Sequence, residues 1–274
     1  MALAEDAPFG DLTSETLVPV GTVARGAIVA REPGVMAGGD VLTASFVLLD
    51  PTTEVSLLVA DGDPFVAGDV LARVVGPGRS VLRSERVALN LVQRMCGIAT
   101  LTRRHVDAVA AVPGSRARVV DTRKTTPGLR ALERHAVRCG GGHNHRFSLS
   151  DAVLAKDNHF ALVGDDPGAL TAALREARAA LPHTVHLEVE VDRPDQIEPV
   201  LAAGVDTIML DNFDRDALRA GVDQVAGRAL VEASGGVTLE TIADIAATGV
   251  DVISVGALTH SVRALDLGLD LEMS

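Results

Sequence analysis

The second half of the chain alternates short apolar runs with amphipathic stretches, and this alternation constrains the fold more than any other feature. Apolar runs predict buried strands, and apolar residues three to four positions apart predict helices between several of them. Such alternation is typical of parallel β/α units. Because about six strands stand out instead of eight, we expect an incomplete or irregular α/β barrel. The predicted strands are Ala117–Asp121, Ala152–Lys156, Val185–Val191, Thr207–Asp211, Ala229–Ala233 and Asp251–Val255, and the predicted helices are Pro167–Ala180, Pro194–Ala203, Asp214–Val225 and Thr238–Thr248.

Each predicted strand ends in a polar residue or a glycine. After Lys156, the strand ends at Glu190, Asp211, Ser234 and Gly256 follow at intervals of 34, 21, 23 and 22 residues. These intervals suit single β/α units of a barrel, in which the C-terminal strand ends form the active site. The sequence therefore predicts that the chemistry of this chain lies on one rim of the barrel.

The chain before this alternation has a different pattern of apolar and polar residues. Residues 20–75 read as short β segments separated by turns that contain Gly and Pro. Residues 81–111 have apolar positions near the helical spacing, with Ser84 as a candidate N-cap, and so predict a long helix. Pro113 and Gly114 then break the chain. A length of 274 residues fits one large domain or two modest ones.

Charge and composition narrow the class of partner. The chain has 274 residues, a net charge of −12 and neither Trp nor Tyr, which argues against nucleic acid as the main partner. Residues 73–156 nevertheless hold 16 of the 25 basic residues, a local excess that favours a small anionic ligand. No apolar run reaches the roughly 18 residues of a membrane span. The start of the chain is acidic, and two cysteines make no disulfide framework, so we expect a cytoplasmic protein.

Lysine is used far more sparingly than arginine. The chain has 23 Arg and two Lys, and both lysines lie in polar stretches, DTRKTT and KDNH. Lysine offers a compact charge with rotatable donors, which a guanidinium cannot replace. We therefore predict that Lys124 and Lys156 belong to the active site; chance retention is the alternative.

A glycine-rich segment precedes a cluster of polar residues. Gly140–Gly142 permits close backbone approach to an anion, and His143, Asn144, His145 and Arg146 follow directly. A plain flexible loop is one alternative. A zinc site is another, although the spacing of its ligands matches no standard finger. That zinc site would use Cys139, His143, His145 and His159.

The acidic strand ends predict a cation site and the glycine-bearing ones a phosphate site. Glu188 and Glu190 share one face of a strand, and with Asp211 they suit a hard divalent cation beside phosphate oxygens. Salt bridges to arginines on the rim are the alternative reading of these acids. Ser234–Gly236 and Ser254–Ala257 follow the last two predicted strands, where β/α barrels commonly bind phosphate on backbone amides.

Several motifs in order along nearly the whole chain resemble the quinolinate phosphoribosyltransferase family. They are EDAPFGDLTSETL, SERVALNLVQRMCGIAT, DTRKTTPGLRALERHAVRCGGGHNHR, LAKDNH, LEVEV, IMLDNF, EASGGV and SVGALTHS. The resemblance implies that quinolinate and phosphoribosyl pyrophosphate give nicotinate mononucleotide, pyrophosphate and CO₂, with Mg²⁺, in de novo NAD biosynthesis.

The resemblance also implies an architecture and an assembly. The fold is an N-terminal α/β sandwich domain followed by the incomplete, irregular α/β barrel of type II phosphoribosyltransferases. We place the first domain at residues 1–111, completed by 261–274, and the barrel at 112–260. We expect a homodimer or higher homo-oligomer with shared active sites.

The residues that match the family's motifs carry roles over to this chain. Those roles are catalysis (Lys124, Lys156, Glu190, Asp211), binding of the two quinolinate carboxylates (Arg123, Lys124, His145, Arg146, Lys156), entry into the partner's site (Arg86), positioning of the ribose and Mg²⁺ (Glu190, Asp211) and binding of the 5′-phosphate (Ser234, Gly235, Gly236, Gly256, His260). His143 departs from the family pattern, which has an apolar residue there, and leaves the selectivity of the pocket open.

Three other functions remain to be distinguished. The first is a paralogue on the same scaffold, such as the one associated with molybdenum transport, acting on another acid. The second is a Schiff-base aldolase that uses Lys156 at a strand end. The third is a non-catalytic sensor that binds phosphoribosyl pyrophosphate without making product.

Overall fold

The computed structural model describes residues 1–163 and 166–272 of the chain. Among these residues the strands are β1 (Val23–Ala30), β2 (Gly34–Val35), β3 (Glu54–Leu57), β4 (Pro64–Phe65), β5 (Val70–Pro77), β6 (Arg118–Val120), β7 (Val153–Ala155), β8 (Leu187–Val191), β9 (Thr207–Asp211), β10 (Leu230–Ser234), β11 (Val252–Ser254) and β12 (Leu267–Leu271). The α-helices are α1 (Ala2–Asp6), α2 (Leu12–Leu17), α3 (Gly39–Val47), α4 (Gly78–Ala110), α5 (Arg130–Cys139), α6 (Asp157–Val163), α7 (Pro167–Ala180), α8 (Ile197–Leu201), α9 (Arg215–Val225), α10 (Ile242–Ala246) and α11 (Ala257–His260), and a 3₁₀ turn covers Pro194–Gln196.

The chain divides into two compact units. The first consists of Met1–Arg103, Pro127–Gly141 and the chain from Val262 onward, and the second of Arg104–Thr126 and Gly142–Ser261. The division between residues 111 and 112 that we expected stays a prediction. Of its returning segment, 261–274, the last two residues lie outside the described ones.

The first unit is built on an antiparallel sheet in the order β12-β1-β5-β3. Ile28 on β1 and Leu71 and Val74 on β5 are fully buried, and they share one core with Phe46 of α3 and Val92 of α4. Burying each such side chain contributes roughly 1.5–3 kcal/mol, so the packed face of the sheet accounts for much of this unit's stability. The predicted α/β sandwich is confirmed.

The long predicted helix is α4, which starts three residues earlier than expected and ends one residue sooner. Val81, Ala88, Val92 and Cys96 are fully buried. Their spacing of seven and four residues places them on a single face of the helix. This face packs into the core of the first unit.

The second unit contains a parallel sheet of six strands, in the order β6-β11-β10-β9-β8-β7. Six strands confirm the incomplete barrel, since a complete one has eight. The edge at β6 is extended by the segment after the glycines, because His143 N donates to Val119 O (2.8 Å) and its carbonyl accepts from Asp121 N (3.2 Å).

Alternation along the barrel strands separates polar from apolar side chains. The register pairs Met209 with Glu232 and Asp211 with Ser234, so these four side chains share one face of the sheet. The intervening Leu210 is fully buried on the opposite face, where its side chain lies against Gly221 of α9. The sequence pattern of apolar strands that end in polar residues is thus produced by a sheet whose inner face carries the chemistry.

Two of the predicted helices are shorter than the sequence pattern indicated. Residues Pro194–Ala203 divide into the 3₁₀ turn and α8. The predicted helix from Thr238 starts only at Ile242, because the backbone N–H and side chain of Thr238 bond to Thr241 in a turn. Within residues 1–163 and 166–272, no helix has both the length and the apolar character needed to cross a membrane.

Candidate active site

A cavity of about 320 Å³ opens at the C-terminal ends of the barrel strands. We call it the strand-end cavity. Six of the predicted site residues line it: Arg123, Lys124, His145, Arg146, Lys156 and Ser234. The rest of its lining is Thr122, Leu154, Met209, Glu232 and Ser254. Ser254 begins the segment Ser254–Ala257 that we predicted to bind phosphate, whereas the other four were not singled out beforehand as a site.

The cationic side of the cavity follows β6 and the glycine-rich segment. Arg146 Nη1 donates to Ala152 O at 2.9 Å, which fixes the direction of the guanidinium. Burial lowers the pKa of Arg146, and the nearby positive charge of Arg123 lowers it further. A guanidinium placed beside a second positive charge in this way attracts an anion, because a carboxylate between the two offsets their repulsion.

The segment that carries these cations is anchored by Asp121 at the end of β6. This carboxylate is fully buried. Its Oδ2 accepts from Asn144 Nδ2 and its Oδ1 from His145 N, each at 2.7 Å. Charge-assisted bonds of this kind are short and strong. Asp121 therefore holds the polar residues after the glycines in place, which a plain flexible loop does not require.

His145 forms a buried group with two glutamates, which we call the His145 cluster. His145 Nε2 lies 3.1 Å from Oε2 of Glu188 and 3.5 Å from Oε2 of Glu232. Burial raises the pKa of Glu188 to about 7. Burial lowers the pKa of His145, but its bonds to the two carboxylates outweigh that effect and raise it. The N–H of Arg146 donates to Nδ1 at 2.8 Å, so the hydrogen facing the carboxylates is on Nε2.

Glu188 therefore does not belong to the predicted cation site. Its carboxylate is buried against His145, whereas Glu190, two residues further along β8, is in contact with Lys156 Nζ. Lys156 thus faces a carboxylate rather than the apolar pocket that activates a Schiff-base lysine. This contact is the salt bridge that we had considered as the alternative for the acidic strand ends, although with lysine in place of arginine.

The end of β9 lies directly beside the end of β10. Asp211 Oδ2 accepts from Asn212 Nδ2 at 2.6 Å, and Asn212 N donates to Ser234 O at 2.9 Å. Asn212 adopts a left-handed conformation with φ of 58°. A Cβ on Gly235, whose φ is +95°, would lie 2.2 Å from Oδ1 of Asn212. Glycine is therefore required there for both backbone conformation and space.

Glu190 and Asp211 suit the cation that the family resemblance implies. Mg²⁺ prefers oxygen ligands, keeps several waters and is usually held by one or two carboxylates together with substrate phosphates. The two residues end neighbouring parallel strands, β8 and β9, and each is partly exposed. The residues present therefore fit a magnesium ion bound together with a phosphorylated substrate.

The predicted phosphate residues fall into two groups. Gly235 and Gly236 line a separate hollow of about 440 Å³ between the starts of α9 and α10. Gly256 lies between Lys124 and His260, since a Cβ there would be 3.2 Å from Lys124 Cδ and from His260 Nε2. Arg86 is exposed on α4 in the first unit and does not line the strand-end cavity.

The four side chains considered as zinc ligands are not brought together. His143 is exposed, His145 is held by the two glutamates, and His159 Nδ1 accepts the backbone N–H of Lys156 at 3.0 Å. Cys139 belongs to the first unit. The zinc interpretation of this set was wrong, because sequence proximity around the glycines does not bring the side chains into one group.

Glu232 lines the cavity but was not predicted to, although the sequence contained a pattern that indicates it. Glu232 precedes Ser234 by two positions on β10 and so shares its face. The same argument applied to Glu188 and Glu190, but Glu232 lies inside an apolar run that we predicted to be simply buried. Asn212, by contrast, owes its role to a backbone conformation that the sequence does not show.

Comparisons with known proteins agree over nearly the whole chain. The family models for the N-terminal and C-terminal domains of quinolinate phosphoribosyl transferase match residues 11–96 and 98–270. A nicotinate-nucleotide pyrophosphorylase [carboxylating] from Mycobacterium leprae is 48% identical over 98% of this chain and 94% of its own. A probable one from Bacillus subtilis is 43% identical over 98% and 91%.

Solved structures show the same similarity. The crystal structure of NadC from Streptococcus pyogenes has a TM-score of 0.91 and 40% identity, covering 99% of this chain and 94% of that one. Nicotinate-nucleotide pyrophosphorylase from Ehrlichia chaffeensis has a TM-score of 0.91 and 36% identity, covering 99% and 96%. This chain belongs to the quinolinate phosphoribosyltransferase family.

Proposed function

We propose that this protein transfers the phosphoribosyl group of phosphoribosyl pyrophosphate to quinolinate and releases CO₂. The products are nicotinate mononucleotide and pyrophosphate, on the route to NAD in the cytoplasm. The observation that carries the proposal is the strand-end cavity, whose lining brings Arg123, Arg146 and Lys156 together. Glu190 and Asp211 do not line it, but each adjoins a residue that does, because Glu190 contacts Lys156 and Asp211 pairs with Ser234. The names of the relatives support the same activity.

Quinolinate binds through its two carboxylates in this scheme. Arg123 and Arg146 present adjacent guanidinium groups, which bind carboxylates in a bidentate manner. Lys124 and Lys156 add rotatable donors at the same cavity, and His145 completes this wall. Two anionic substrates must be bound side by side, and only a dense set of cations offsets their mutual repulsion.

Phosphoribosyl pyrophosphate occupies the neighbouring strand ends. Ser234, Gly235 and Gly236 bind its 5′-phosphate together with Gly256 and His260 in this scheme. The positive φ of Gly235 and Gly236 and their lack of a side chain let the backbone approach a phosphate closely. Glu190 and Asp211 orient the ribose, and they are the residues that would hold Mg²⁺. When bound, the ion neutralises charge on the pyrophosphate that leaves.

The chain's own groups then act mainly by position. As the C–O bond to pyrophosphate breaks, Glu190 and Asp211 stabilise the positive charge that develops on the ribose. The quinolinate nitrogen forms the new bond and becomes a pyridinium. This ring stabilises the electron pair left at its 2-position when CO₂ departs, so the cavity has to bind, orient and exclude water. Lys156 balances charge there or relays the proton that the ring takes up.

We further propose a homodimer in which each subunit completes the site of the other. Arg86 supports this proposal, because it is exposed on α4 and absent from the lining of the strand-end cavity. An arginine that reaches from a second subunit would add one more cation to the quinolinate carboxylates. Mixing Arg86→Ala subunits with Arg123→Ala subunits tests this: restored activity in the mixture supports shared sites, and none contradicts them.

The deciding assay supplies quinolinate, phosphoribosyl pyrophosphate and Mg²⁺ and separates the products by chromatography. Nicotinate serves as the parallel acid. Nicotinate mononucleotide from quinolinate alone confirms both reaction and substrate. Product from nicotinate alone rejects the decarboxylating reaction, and product from neither points to the paralogue. Borohydride trapping of a carbonyl compound on Lys156 would support the aldolase instead.

A further inference from the structure

A second group of side chains with metal-binding chemistry lies in the first unit, and none of its residues has a role in the proposed reaction. It contains Asp61, His135 and Cys139, which we call the Asp61 cluster. His135 Nε2 lies 2.6 Å from Asp61 Oδ2 and 3.4 Å from Cys139 Sγ, and Cys139 Sγ lies 3.7 Å from Asp61 Oδ2. Three different kinds of ligand atom thus converge on one point.

These distances are close to those that a tetrahedral metal imposes. Zinc bonds of about 2.0 Å to oxygen and nitrogen and 2.3 Å to sulfur place ligand atoms about 3.3–3.6 Å apart. The distances from Cys139 Sγ to His135 Nε2 (3.4 Å) and to Asp61 Oδ2 (3.7 Å) already fall near this range. The remaining one, 2.6 Å between Asp61 and His135, has to widen by less than an ångström.

The ligands are held in place before any ion binds. Asp61 Oδ1 accepts from Gly39 N at 2.9 Å and its Oδ2 from Gly38 N at 3.0 Å, the kind of outer bonds that orient a metal-binding carboxylate. His135 and Cys139 are four residues apart on α5 and therefore share a face. Cys139 ends the helix and His135 lies one turn before it, near the end where the helix dipole favours a cation.

The cluster is accessible from solvent. The His135 side chain is 51% exposed and that of Asp61 28% exposed. An ion can therefore enter, and a water molecule can reach a fourth coordination position. The mixed set of sulfur, nitrogen and oxygen selects for zinc and similar transition metals over Mg²⁺, which binds oxygen alone.

We propose that Asp61, His135 and Cys139 form a three-ligand site for a divalent transition-metal ion of the zinc type, with water as the fourth ligand. The site joins the last turn of α5 to a loop 74 residues away in sequence. Because the ion binds the folded chain and joins two segments of one compact unit, it stabilises that unit.

Metal binding at this cluster releases a proton. Burial, together with the charge of Asp61, raises the pKa of the Cys139 thiol to about 12, so the thiol keeps its hydrogen in the metal-free protein. On binding, the S–H bond breaks, the sulfur–metal bond forms and the proton passes to solvent. Arg138 is the neighbouring charge that opposes the ion, and the thiolate and the Asp61 carboxylate together offset the charge of the ion.

The test uses the full-length protein, stripped of metal with a chelator and titrated with Co²⁺. Cobalt reports on sulfur ligation through a near-ultraviolet thiolate-to-metal charge-transfer band, so ions bound elsewhere by oxygen stay silent. We expect one such band per chain, displaced by one equivalent of Zn²⁺, and a Zn²⁺-dependent rise in the unfolding temperature. His135→Gln is the main variant, because it keeps both thiols of the chain and changes a half-exposed side chain.

His135→Gln and Cys139→Ser should each weaken Co²⁺ binding by more than the roughly 10–100-fold that loss of an outer-shell partner costs. His183→Gln, at an exposed histidine of the second unit, is the matched control and should bind as the unaltered chain does. No thiolate band in the unaltered protein, or an unchanged band in His135→Gln, would overturn the proposal. The readout is independent of quinolinate turnover, so either proposal can fail without the other.

Discussion

The His145 cluster and the Asp61 cluster combine similar groups in opposite surroundings. Each places an imidazole Nε2 within about hydrogen-bond distance of a carboxylate, 3.1 Å to Glu188 in one and 2.6 Å to Asp61 in the other. The His145 side chain is 11% exposed, and that of His135 is 51% exposed. Distance alone therefore does not distinguish the clusters, whereas access to water does.

Burial explains why the two clusters serve different ends. In the His145 cluster, two buried carboxylates lose their hydration, and one imidazole and the adjoining cations compensate for that loss. This wall of the cavity is therefore rigid and sensitive to changes of charge. In the Asp61 cluster, water solvates the charges, and an arriving ion can replace that water. The first arrangement suits the orientation of a substrate, and the second suits an exchangeable metal.

The largest expected effect is on catalytic activity, which should fall when the strand-end cavity is altered and not when the first unit is. Arg123→Ala removes one of the two guanidinium groups that line the strand-end cavity. Losing one partner of a desolvated charge pair costs about 2–5 kcal/mol, which corresponds to roughly a 30- to 5,000-fold lower kcat/KM for quinolinate. Initial rates of nicotinate mononucleotide formation measure it.

Arg73→Ala is the control for this prediction. Arg73 lies on β5 of the first unit, and its side chain is 54% exposed in a long contact with Glu272. Its loss should leave the rate within twofold, since an exposed ion pair contributes little. Equal losses in both variants would show that overall charge, not the cavity, supports turnover.

The next largest effect is on the free energy of unfolding, which should differ between variants of His145 and His135. His145→Ala leaves Glu188 and Glu232 buried without their imidazole, and breaking a buried pair costs about 3–5 kcal/mol. His135→Ala in the metal-free protein should cost less than about 1 kcal/mol, because water replaces its contact with Asp61. Denaturant unfolding of both variants with chelator present measures the difference, and equal costs would contradict the distinction between the clusters.

The sequence predicted the strand-end cavity better than either cluster. Six barrel strands and their polar ends follow from periodicity, which determines which side chains share a face. Lys124 and Lys156 emerged from composition alone, and both line the cavity. Residue roles still rest on the family resemblance, because position on a rim does not say which anion a given arginine contacts.

The clusters escaped prediction for a physical reason. Asp61 meets His135 only because the first unit brings together segments 74 residues apart, and no local pattern encodes that contact. Cys139 was therefore grouped with histidines near it in sequence. The partnership of Glu232 with His145 likewise depends on the order of strands in the sheet, which propensity does not determine.

A smaller effect on stability is expected from substituting two glycines, one beside the Asp61 cluster and one beside the strand-end cavity. Gly62 follows Asp61 and Gly235 follows Ser234, with nearly equal φ of +93° and +95°. Gly62→Ala should cost only the left-handed backbone strain, about 1–2 kcal/mol, since its nearest neighbour lies at 3.5 Å. Gly235→Ala adds a clash with Asn212 and should also raise KM for phosphoribosyl pyrophosphate. A Gly235→Ala enzyme with unchanged KM would place the 5′-phosphate elsewhere.

The last prediction concerns the pH dependence of stability, which should have opposite signs for the two clusters. Burial raises the pKa of Glu188 from 4.5 to about 7, so the folded state binds more protons and the cluster's contribution falls as pH rises through that interval. Burial raises the pKa of Asp61, but the bonds that Asp61 makes to His135, Gly38 and Gly39 outweigh burial and lower this pKa below 3.8. The contribution of Asp61 to stability is therefore present above pH 3.8 and is lost as pH falls below it.

Metal-free unfolding free energies from pH 3 to 8 measure both slopes. Glu188→Gln should flatten the fall between pH 4.5 and about 7, and Asp61→Asn should flatten the loss below 3.8. Each variant leaves the other slope unchanged, because the two clusters belong to different compact units. If Glu188→Gln left the slope between pH 4.5 and about 7 unchanged, Glu188 would titrate like a solvated carboxylate. The difference in burial between the two clusters would then have no effect on stability.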